Sequence, residues 1–111
     1  MYILGLNVYH GDCSASLFKD EKLVAAIEEE RITRVKHAAG FPINSIKFCL
    51  DFAKVNLSDI DYVAINRNPN LRFFNKLIYA LKNIINTKNF FDRFKNFKKI
   101  NSLEKEFQKY F

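Results

Sequence analysis

Residues 7–16 read Asn-Val-Tyr-His-Gly-Asp-Cys-Ser-Ala-Ser and place a polar turn between two apolar segments, residues 2–6 and 15–18. Short apolar runs bounded by turn residues are typical of β-strands. Small residues at such a turn would let backbone N–H groups approach an anion. The turn is therefore a candidate phosphate site at the end of a strand.

The length and composition indicate a folded chain of one domain or less. Its 111 residues can bury a core but are few for a two-lobed enzyme, and 49% of them are hydrophobic. No basic residue precedes the apolar N-terminal segment, and no apolar run approaches the roughly 20 residues of a membrane helix. We therefore expect a cytoplasmic protein with no membrane partner and with reduced thiols at Cys13 and Cys49.

The charge is unevenly distributed along the chain. Residues 1–66 contain 7 Lys/Arg and 9 Asp/Glu, whereas residues 67–111 contain 11 and 3. In residues 89–100 lysines alternate with phenylalanines, a pattern that could stack nucleic-acid bases and neutralise phosphates. The same pattern fits an amphipathic helix with its phenylalanines in a core. The helix is favoured because RNA-binding modules usually carry aromatic residues on strands or in a recognisable motif, so no nucleic-acid partner is expected.

The hydrophobic pattern predicts the element order βββαβ. Strands are predicted at Tyr2–Val8, Ser14–Lys19 and Leu23–Ile27, an irregular segment at 31–41, a helix near Asn44–Val55 and a buried strand at Tyr62–Ile65. Helices are predicted at 71–86, 88–100 and 102–110. The first three strands must be antiparallel, because short turns cannot connect parallel strands.

This α/β order, with a polar turn after the first strand, resembles the opening of the ribonuclease H-like fold of actin, sugar kinases and heat-shock ATPases. Residues 5–15, 26–37 and 40–42 also resemble the N-terminal segment of NodU/CmcH-type carbamoyltransferases. Residues 48–50 and 59–64 continue this resemblance, which covers roughly residues 1–67. Residues 68–111 are predicted to be a basic helical extension rich in Phe, Lys and Asn. The α/β subdomain is then incomplete relative to the full fold.

The resemblance implies a carbamoyl-transfer reaction. Such enzymes take carbamoyl phosphate and ATP, form a carbamoyl adenylate and pass the carbamoyl group to a hydroxyl of a small-molecule acceptor. ATP and a divalent metal are the implied cofactors. Related transferases hold the metal with a His-x-x-x-His pair, which is impossible in a chain whose only histidines are His10 and His37. No metal ligand is therefore assigned, and neither cofactor is expected to be fully bound by this chain.

The chain is thus predicted to be an N-terminal fragment that is inactive alone. A missing C-terminal portion or a second chain would complete the site for carbamoyl phosphate, carbamoyl adenylate and the acceptor. The alternative is a non-catalytic binding module, which would bind nucleic acid through the basic aromatic tail.

The resemblance places three candidate site residues in the first turn. His10 is the catalytic candidate, as the base near the acceptor hydroxyl, because histidine titrates near neutral pH. Alternatively, it only hydrogen-bonds its own loop. Asp12 could orient His10, hold a metal through water or close the turn. Ser14 could donate to a phosphate or be an ordinary hydroxyl at a strand end.

Three further candidates lie in the segment predicted to be irregular. Arg34, Lys36 and His37 concentrate cationic donors that suit a carbamoyl or phosphate oxyanion. Lys36 is favoured as the member that faces the ligand, and the alternative is an exposed basic loop.

The acidic run that precedes this segment, Glu28-Glu29-Glu30, is expected to be mainly a solvated face. The resemblance indicates that one of its carboxylates, Glu29 or Glu30, is structural. That carboxylate is expected to form an ion pair with Arg31 or Arg34.

Overall fold

The computed structural model describes residues 1–66 and 103–111 and shows a mixed α/β chain. Its elements are β1 Tyr2–Asn7, β2 Ser14–Lys19, β3 Lys22–Glu28, α1 Glu29–Thr33, α2 Ile43–Ala53, a 3-10 turn Leu57–Asp59, β4 Tyr62–Ile65 and α3 Leu103–Tyr110. The predicted βββαβ order is confirmed, with the short helix α1 added, and the last predicted helix is present as α3. The helices predicted at 71–86 and 88–100 lie outside the described residues, as does the basic aromatic stretch.

The four strands form one sheet in the order β3-β2-β1-β4. β1 pairs antiparallel with β2, with Leu4 opposite Leu17, and parallel with β4, with Leu4 opposite Val63. Since β2 and β3 are also antiparallel, the predicted arrangement of the first three strands is confirmed. Asp20 and Glu21 close the β2–β3 hairpin with φ angles of 46° and 68°, the left-handed pair that matches the strand twist in a two-residue turn.

The core lies between the sheet and one face of α2, which packs on β2 and β3. Ile46, Cys49 and Leu50 are buried at the i, i+3, i+4 spacing of one helix face. Leu4 and Leu17 of the sheet are also fully buried. Burial of each large aliphatic side chain stabilises the fold by ~1.5–3 kcal/mol. This layer therefore holds in place the strands that carry the polar turn.

The prediction that β4 is a buried strand is wrong. Tyr62 is 62% exposed and Val63 is 44% exposed. The reason is that α2 lies over β2 and β3, whereas β4 is at the opposite edge of the sheet. An apolar run of four residues predicts a strand correctly, but it does not say which element covers that strand.

The helices differ in extent from the sequence prediction. The segment 31–41 is helical over its first three residues, because α1 covers Glu29–Thr33. α1 ends at Thr33 because Arg34 takes a left-handed φ of 62°. α2 ends at Ala53 because Lys54 takes a left-handed φ of 55°. A helix of five residues is too short to show a hydrophobic period, so the pattern could not reveal α1.

The sheet, α1 and α2 belong to one compact unit, Met1–Arg67 with Tyr110–Phe111, and Asn68–Lys109 form a second unit. The predicted domain boundary between residues 67 and 68 stays a prediction. α3 carries Glu104 and Glu106 in its first turn and Lys109 in its last, which suits the helix dipole. No helix within residues 1–66 or 103–111 is long and apolar enough to cross a bilayer.

Candidate functional site

The turn that follows β1 is fixed by three hydrogen bonds. The Asn7 side-chain Nδ2 donates to the carbonyl of Asp12 at 2.8 Å. The backbone N–H groups of Tyr9 and Cys13 donate to the carbonyls of Gly40 and Ala38 at 2.9 and 3.0 Å. These two N–H groups are thus occupied by the loop that follows α1, so they are not donors of the predicted phosphate nest.

The same contacts bring Asp12 to His37. The carboxylate oxygen Oδ1 of Asp12 lies 2.8 Å from Nδ1 of His37. A carboxylate can only accept, so Nδ1 carries the proton in this arrangement. The hydrogen bond and the charge of Asp12 raise the pKa of His37. Asp12 therefore orients His37 and not His10, which corrects the prediction that it could orient the turn histidine.

Glu30 joins this pair from α1. Its Oε2 accepts the backbone N–H of His37 at 3.1 Å. Ligand atoms from the side chains of Asp12, Glu30 and His37 all lie within 4.8 Å of one another. Within residues 1–66 and 103–111, this is one group of side chains close enough to share a metal ion. We refer to these three residues as the Asp-Glu-His cluster.

Arg34 and Lys36 lie beside the cluster. Together with Glu30 and Arg31 they line a small pocket of about 170 Å³, here called the cationic pocket. Three of its four side chains are cationic, so a small anion would find charged donors there. Two of the predicted site residues, Arg34 and Lys36, thus line the same pocket. Their role in binding a ligand stays a prediction. Glu30 belongs both to this pocket and to the cluster.

Ser14 lines a different and larger cavity, an open groove of about 710 Å³ along the sheet. Asn7 is the last residue of β1, and Asn66 directly follows the parallel strand β4. Both line this groove, and the Asn66 side-chain nitrogen donates to the Asn7 side-chain oxygen. Ligands of α/β sheets commonly bind at the carboxyl ends of parallel strands. Arg31 lines both the groove and the cationic pocket.

His10 is exposed, and its Nδ1 lies 3.2 Å from the carbonyl oxygen of Gly11. This contact is the one expected of a histidine that hydrogen-bonds its own loop. The His10 side chain lines neither the groove nor the cationic pocket. The catalytic role of His10 stays a prediction.

Glu29 is the structural carboxylate of the acidic run, but its partners are not arginines. It is 6% exposed and accepts four hydrogen bonds of 2.7–3.2 Å from the backbone and side chains of Asn44 and Ser45. Burial alone would raise the pKa of Glu29, but these hydrogen bonds together lower it. The predicted ion pair of this carboxylate with Arg31 or Arg34 is wrong, because its partners are Asn44 and Ser45. Arg31 pairs with Glu28 at 3.6 Å.

The carboxylate of Glu29 satisfies N–H groups at the start of α2. The residue that precedes this helix, Pro42, has no side-chain cap, and the first N–H groups of a helix have no partner inside it. A carboxylate at a helix N-terminus is also favoured by the helix dipole. Glu29 therefore fastens α2 to α1, and α1 carries Glu30 into the cluster.

Residues 2–110 match the family model described as Carbamoyltransferase N-terminus. The chain belongs to this family. The resemblance of residues 1–67 to the N-terminal segment of NodU/CmcH-type carbamoyltransferases is thus confirmed, and the matched residues continue to residue 110.

Several relatives are similar to this carbamoyltransferase segment over part of its length. The uncharacterized protein sll1178 of Synechocystis is 43% identical over 72 residues, 65% of this chain and 12% of the relative. The nodulation protein NolNO of Sinorhizobium fredii is 47% identical over 58 residues, 52% of this chain and 8% of the relative. The chain therefore spans about a tenth of the length of these two proteins.

Sequence reasoning did not select three residues that line the candidate site as ligand-binding residues. Asn7 stands inside a segment that carries the resemblance, but its residue type gave no reason to select it. Arg31 and Glu30 were considered only as possible members of a structural ion pair. The available signal for a long-range carboxylate was Pro42, since a helix that starts after proline without a Ser, Thr, Asp or Asn cap needs another acceptor for its first N–H groups.

Proposed function

We propose that this chain supplies the donor-binding part of a carbamoyltransferase that acts on a hydroxyl of a small-molecule acceptor. The donor is carbamoyl phosphate, activated with ATP to a carbamoyl adenylate. A missing C-terminal portion or a second chain completes the site. The family membership supports the transfer reaction, and the short share of each relative that the chain spans supports the division of the site.

The observation that carries the proposal is the cationic pocket. Arg31, Arg34 and Lys36 converge on a volume of about 170 Å³, enough for one phosphate-sized group. Charged donors of this kind stabilise the negative charge of a phosphate or of a carbamoyl oxyanion, and such stabilisation is usually a large part of acyl-transfer catalysis.

In the transfer step, the acceptor oxygen bonds to the carbamoyl carbon while the bond from that carbon to the phosphate oxygen breaks. The acceptor proton passes to a base, for which His10 is the proposed residue, and the phosphate charge remains with the cationic pocket. His10 lies in the turn that the loop after α1 braces. The groove beside Ser14 and Asn7 is the proposed place of the nucleotide, because it opens at the carboxyl ends of β1 and β4.

We also propose that the sheet is the start of a ribonuclease H-like fold. The support is the topology, in which three antiparallel strands are followed by a helix and a strand parallel to β1. The buried free thiols of Cys13 and Cys49 suit a reducing compartment, which favours the cytoplasm as the place of the reaction.

The test is reconstitution. The purified chain is mixed with the remaining part of the Sinorhizobium fredii relative, and carbamoyl transfer from carbamoyl phosphate and ATP is measured by mass spectrometry of a hydroxyl acceptor. We expect transfer only when both parts are present, and a loss of about 10²-fold or more in kcat/KM for Arg34→Ala with Lys36→Ala, since charged oxyanion donors have effects of this size. Lys47→Ala, an exposed lysine on α2, is the matched control.

Turnover by the 111-residue chain alone would overturn the division of the site. A reconstituted enzyme that keeps its full rate with both substitutions would overturn the assignment of the cationic pocket. The nucleic-acid alternative depends on residues 88–99, which lie outside the described residues, and the comparisons give it no support.

A further inference from the structure

The Asp-Glu-His cluster is composed of residues from three separate segments of the chain. Asp12 comes from the turn after β1, Glu30 from α1 and His37 from the loop after α1. Their sequence separations of 18, 7 and 25 residues mean that only the fold brings them together. The ligand atoms nevertheless lie within 4.8 Å of one another.

The distance between two ligand atoms of the cluster is close to that between atoms that bind one metal ion. Two donor atoms each about 2.1 Å from a metal are about 3.0 Å apart at a right angle and about 3.4 Å apart at a tetrahedral angle. Nδ1 of His37 and Oδ1 of Asp12 are 2.8 Å apart. Small side-chain rotations would therefore admit a metal between them, and these rotations are open because the side chains are 80% and 53% exposed.

The charge of the cluster favours a cation. Its two carboxylates accompany one imidazole. Within the described residues no ion pair includes the Glu30 carboxylate, although Glu30 lines the cationic pocket with Arg31, Arg34 and Lys36. A metal would replace the proton on Nδ1 of His37, and the neutral ring would keep its proton on Nε2. The positive charge lost with the proton is more than restored by the metal.

The backbone around the cluster is held before any ligand arrives. Tyr9 and Cys13 donate to the carbonyls of Gly40 and Ala38, which fixes the turn against the loop. Glu30 is carried on α1, which Glu29 ties to the start of α2. The entropy cost of assembling the three ligands is therefore met by folding and does not fall on metal binding.

From this geometry we propose that Asp12, Glu30 and His37 bind one divalent first-row transition metal ion, with Zn²⁺ and Mn²⁺ as the fitting ions. One imidazole and two carboxylates suit such ions better than Mg²⁺ or Ca²⁺, which prefer oxygen ligands alone. Three protein ligands leave coordination positions open. Because Glu30 also lines the cationic pocket, an ion held by the cluster would lie beside the region in which the proposed function places a phosphate.

This metal site rests on the cluster geometry, and it can be tested without carbamoyl transfer. The purified chain is titrated with Zn²⁺ by calorimetry, with Mg²⁺ in a parallel titration. We expect one saturable Zn²⁺ per chain and binding to Mg²⁺ at least about tenfold weaker. Asp12→Asn, Glu30→Gln and His37→Ala are each expected to weaken Zn²⁺ binding about tenfold or more.

His10→Ala is the matched control, because His10 is the other histidine of the chain and lies two residues from Asp12. This variant is expected to bind Zn²⁺ like the parent. Absence of saturable binding, or loss of binding in His10→Ala with retention in His37→Ala, would overturn the proposal. The melting temperature of each variant shows whether a loss of binding comes from unfolding.

The location of the metal can also be measured on the unmodified chain, without any substitution. Substoichiometric Mn²⁺ broadens the amide NMR signals of residues near the ion. We expect the broadening to centre on Asp12, Glu30 and His37, and a centre elsewhere would contradict the site. Failure of this metal site can be told apart from failure of the proposed function. If the chain binds the metal but the reconstituted enzyme shows no carbamoyl transfer, the metal site is supported and the proposed function is not.

Discussion

Glu29 and Glu30 are adjacent in the chain and lie in two different regions of the molecule. Glu29 is 6% exposed and accepts four hydrogen bonds at the start of α2. Glu30 is half-buried, and its carboxylate accepts the backbone N–H of His37. Consecutive helical residues point about 100° apart. The short helix α1 therefore places one carboxylate against the start of α2 and the next in the candidate site.

Residue type alone does not separate structural from functional carboxylates in this chain. Both side chains are acidic, both hydrogen-bond to backbone N–H groups, and both belong to one charged run. What separates them is the partner. Glu29 satisfies the buried donors of Ser45 as well as those of Asn44, whereas Glu30 lies among exposed groups that water can also satisfy. Substitution at Glu29 is therefore expected to change stability, and substitution at Glu30 to change binding.

The largest expected effect is that of Glu29→Ala. The substitution leaves the two buried donors of Ser45 and the partly buried donors of Asn44 without their acceptor. Each unsatisfied buried group costs about 1–3 kcal/mol. We expect the free energy of unfolding to fall by about 2–4 kcal/mol, measured by urea denaturation followed by circular dichroism. Glu28→Ala, an exposed neighbour, is the control and should change the value by less than about 0.5 kcal/mol. Equal losses of stability in the two variants would contradict the structural role of the Glu29 carboxylate.

The pH dependence of stability should show the same distinction with a smaller effect. The pKa of Glu29 in the folded chain lies below its usual 4.5. Its contribution to stability is therefore fully present above the unfolded value and is lost as the pH falls through the folded value. We expect the difference in stability between the parent and Glu29→Gln to shrink on acidification from about pH 6 to about pH 3. The measurement is urea denaturation across this range. A difference that stays constant would show that the ionised form of Glu29 is not favoured by folding.

Ser45→Ala should have a smaller effect on the same region. Ser45 is fully buried, and its Oγ donates to Glu29 at 2.7 Å. The substitution removes one donor and leaves three for the carboxylate, so a loss of about 1 kcal/mol is expected in the free energy of unfolding. Ser58→Ala, an exposed serine of the 3-10 turn, is the control with no expected change. A loss of stability as large as that of Glu29→Ala would mean that the Ser45 hydroxyl contributes as much to the contact between α1 and α2 as the whole Glu29 carboxylate.

The elements that sequence could predict are those with a local pattern. β1, β2 and β3 are short apolar runs between turns, and α2 shows buried residues at helical spacing, so their order and the antiparallel pairing followed directly. The cover of β4 could not be predicted, because it depends on where α2 lies. α1 is too short for a period.

The candidate site was predicted as residues but not as contacts. Asp12, Arg34, Lys36 and His37 were selected from residue type and family resemblance. The pairing of Asp12 with His37 joins positions 25 residues apart, and the partners of Glu29 lie 15 and 16 residues away. Such contacts are products of tertiary packing, and no periodicity in the chain encodes them.

The smallest expected change in stability, within about 0.5 kcal/mol, belongs to Glu30→Gln. The amide oxygen of glutamine can still accept the N–H of His37, and water can replace the bond where it is exposed, so the fold has little to lose. The carboxylate charge is lost, however, so Zn²⁺ binding by the Asp-Glu-His cluster should weaken about tenfold while the denaturation curve hardly moves. Urea denaturation and calorimetry on the same preparation measure both quantities. If Glu30→Gln loses as much stability as Glu29→Ala, Glu30 is a structural residue as well. If it keeps both its stability and its affinity for Zn²⁺, Glu30 is not a metal ligand of the cluster.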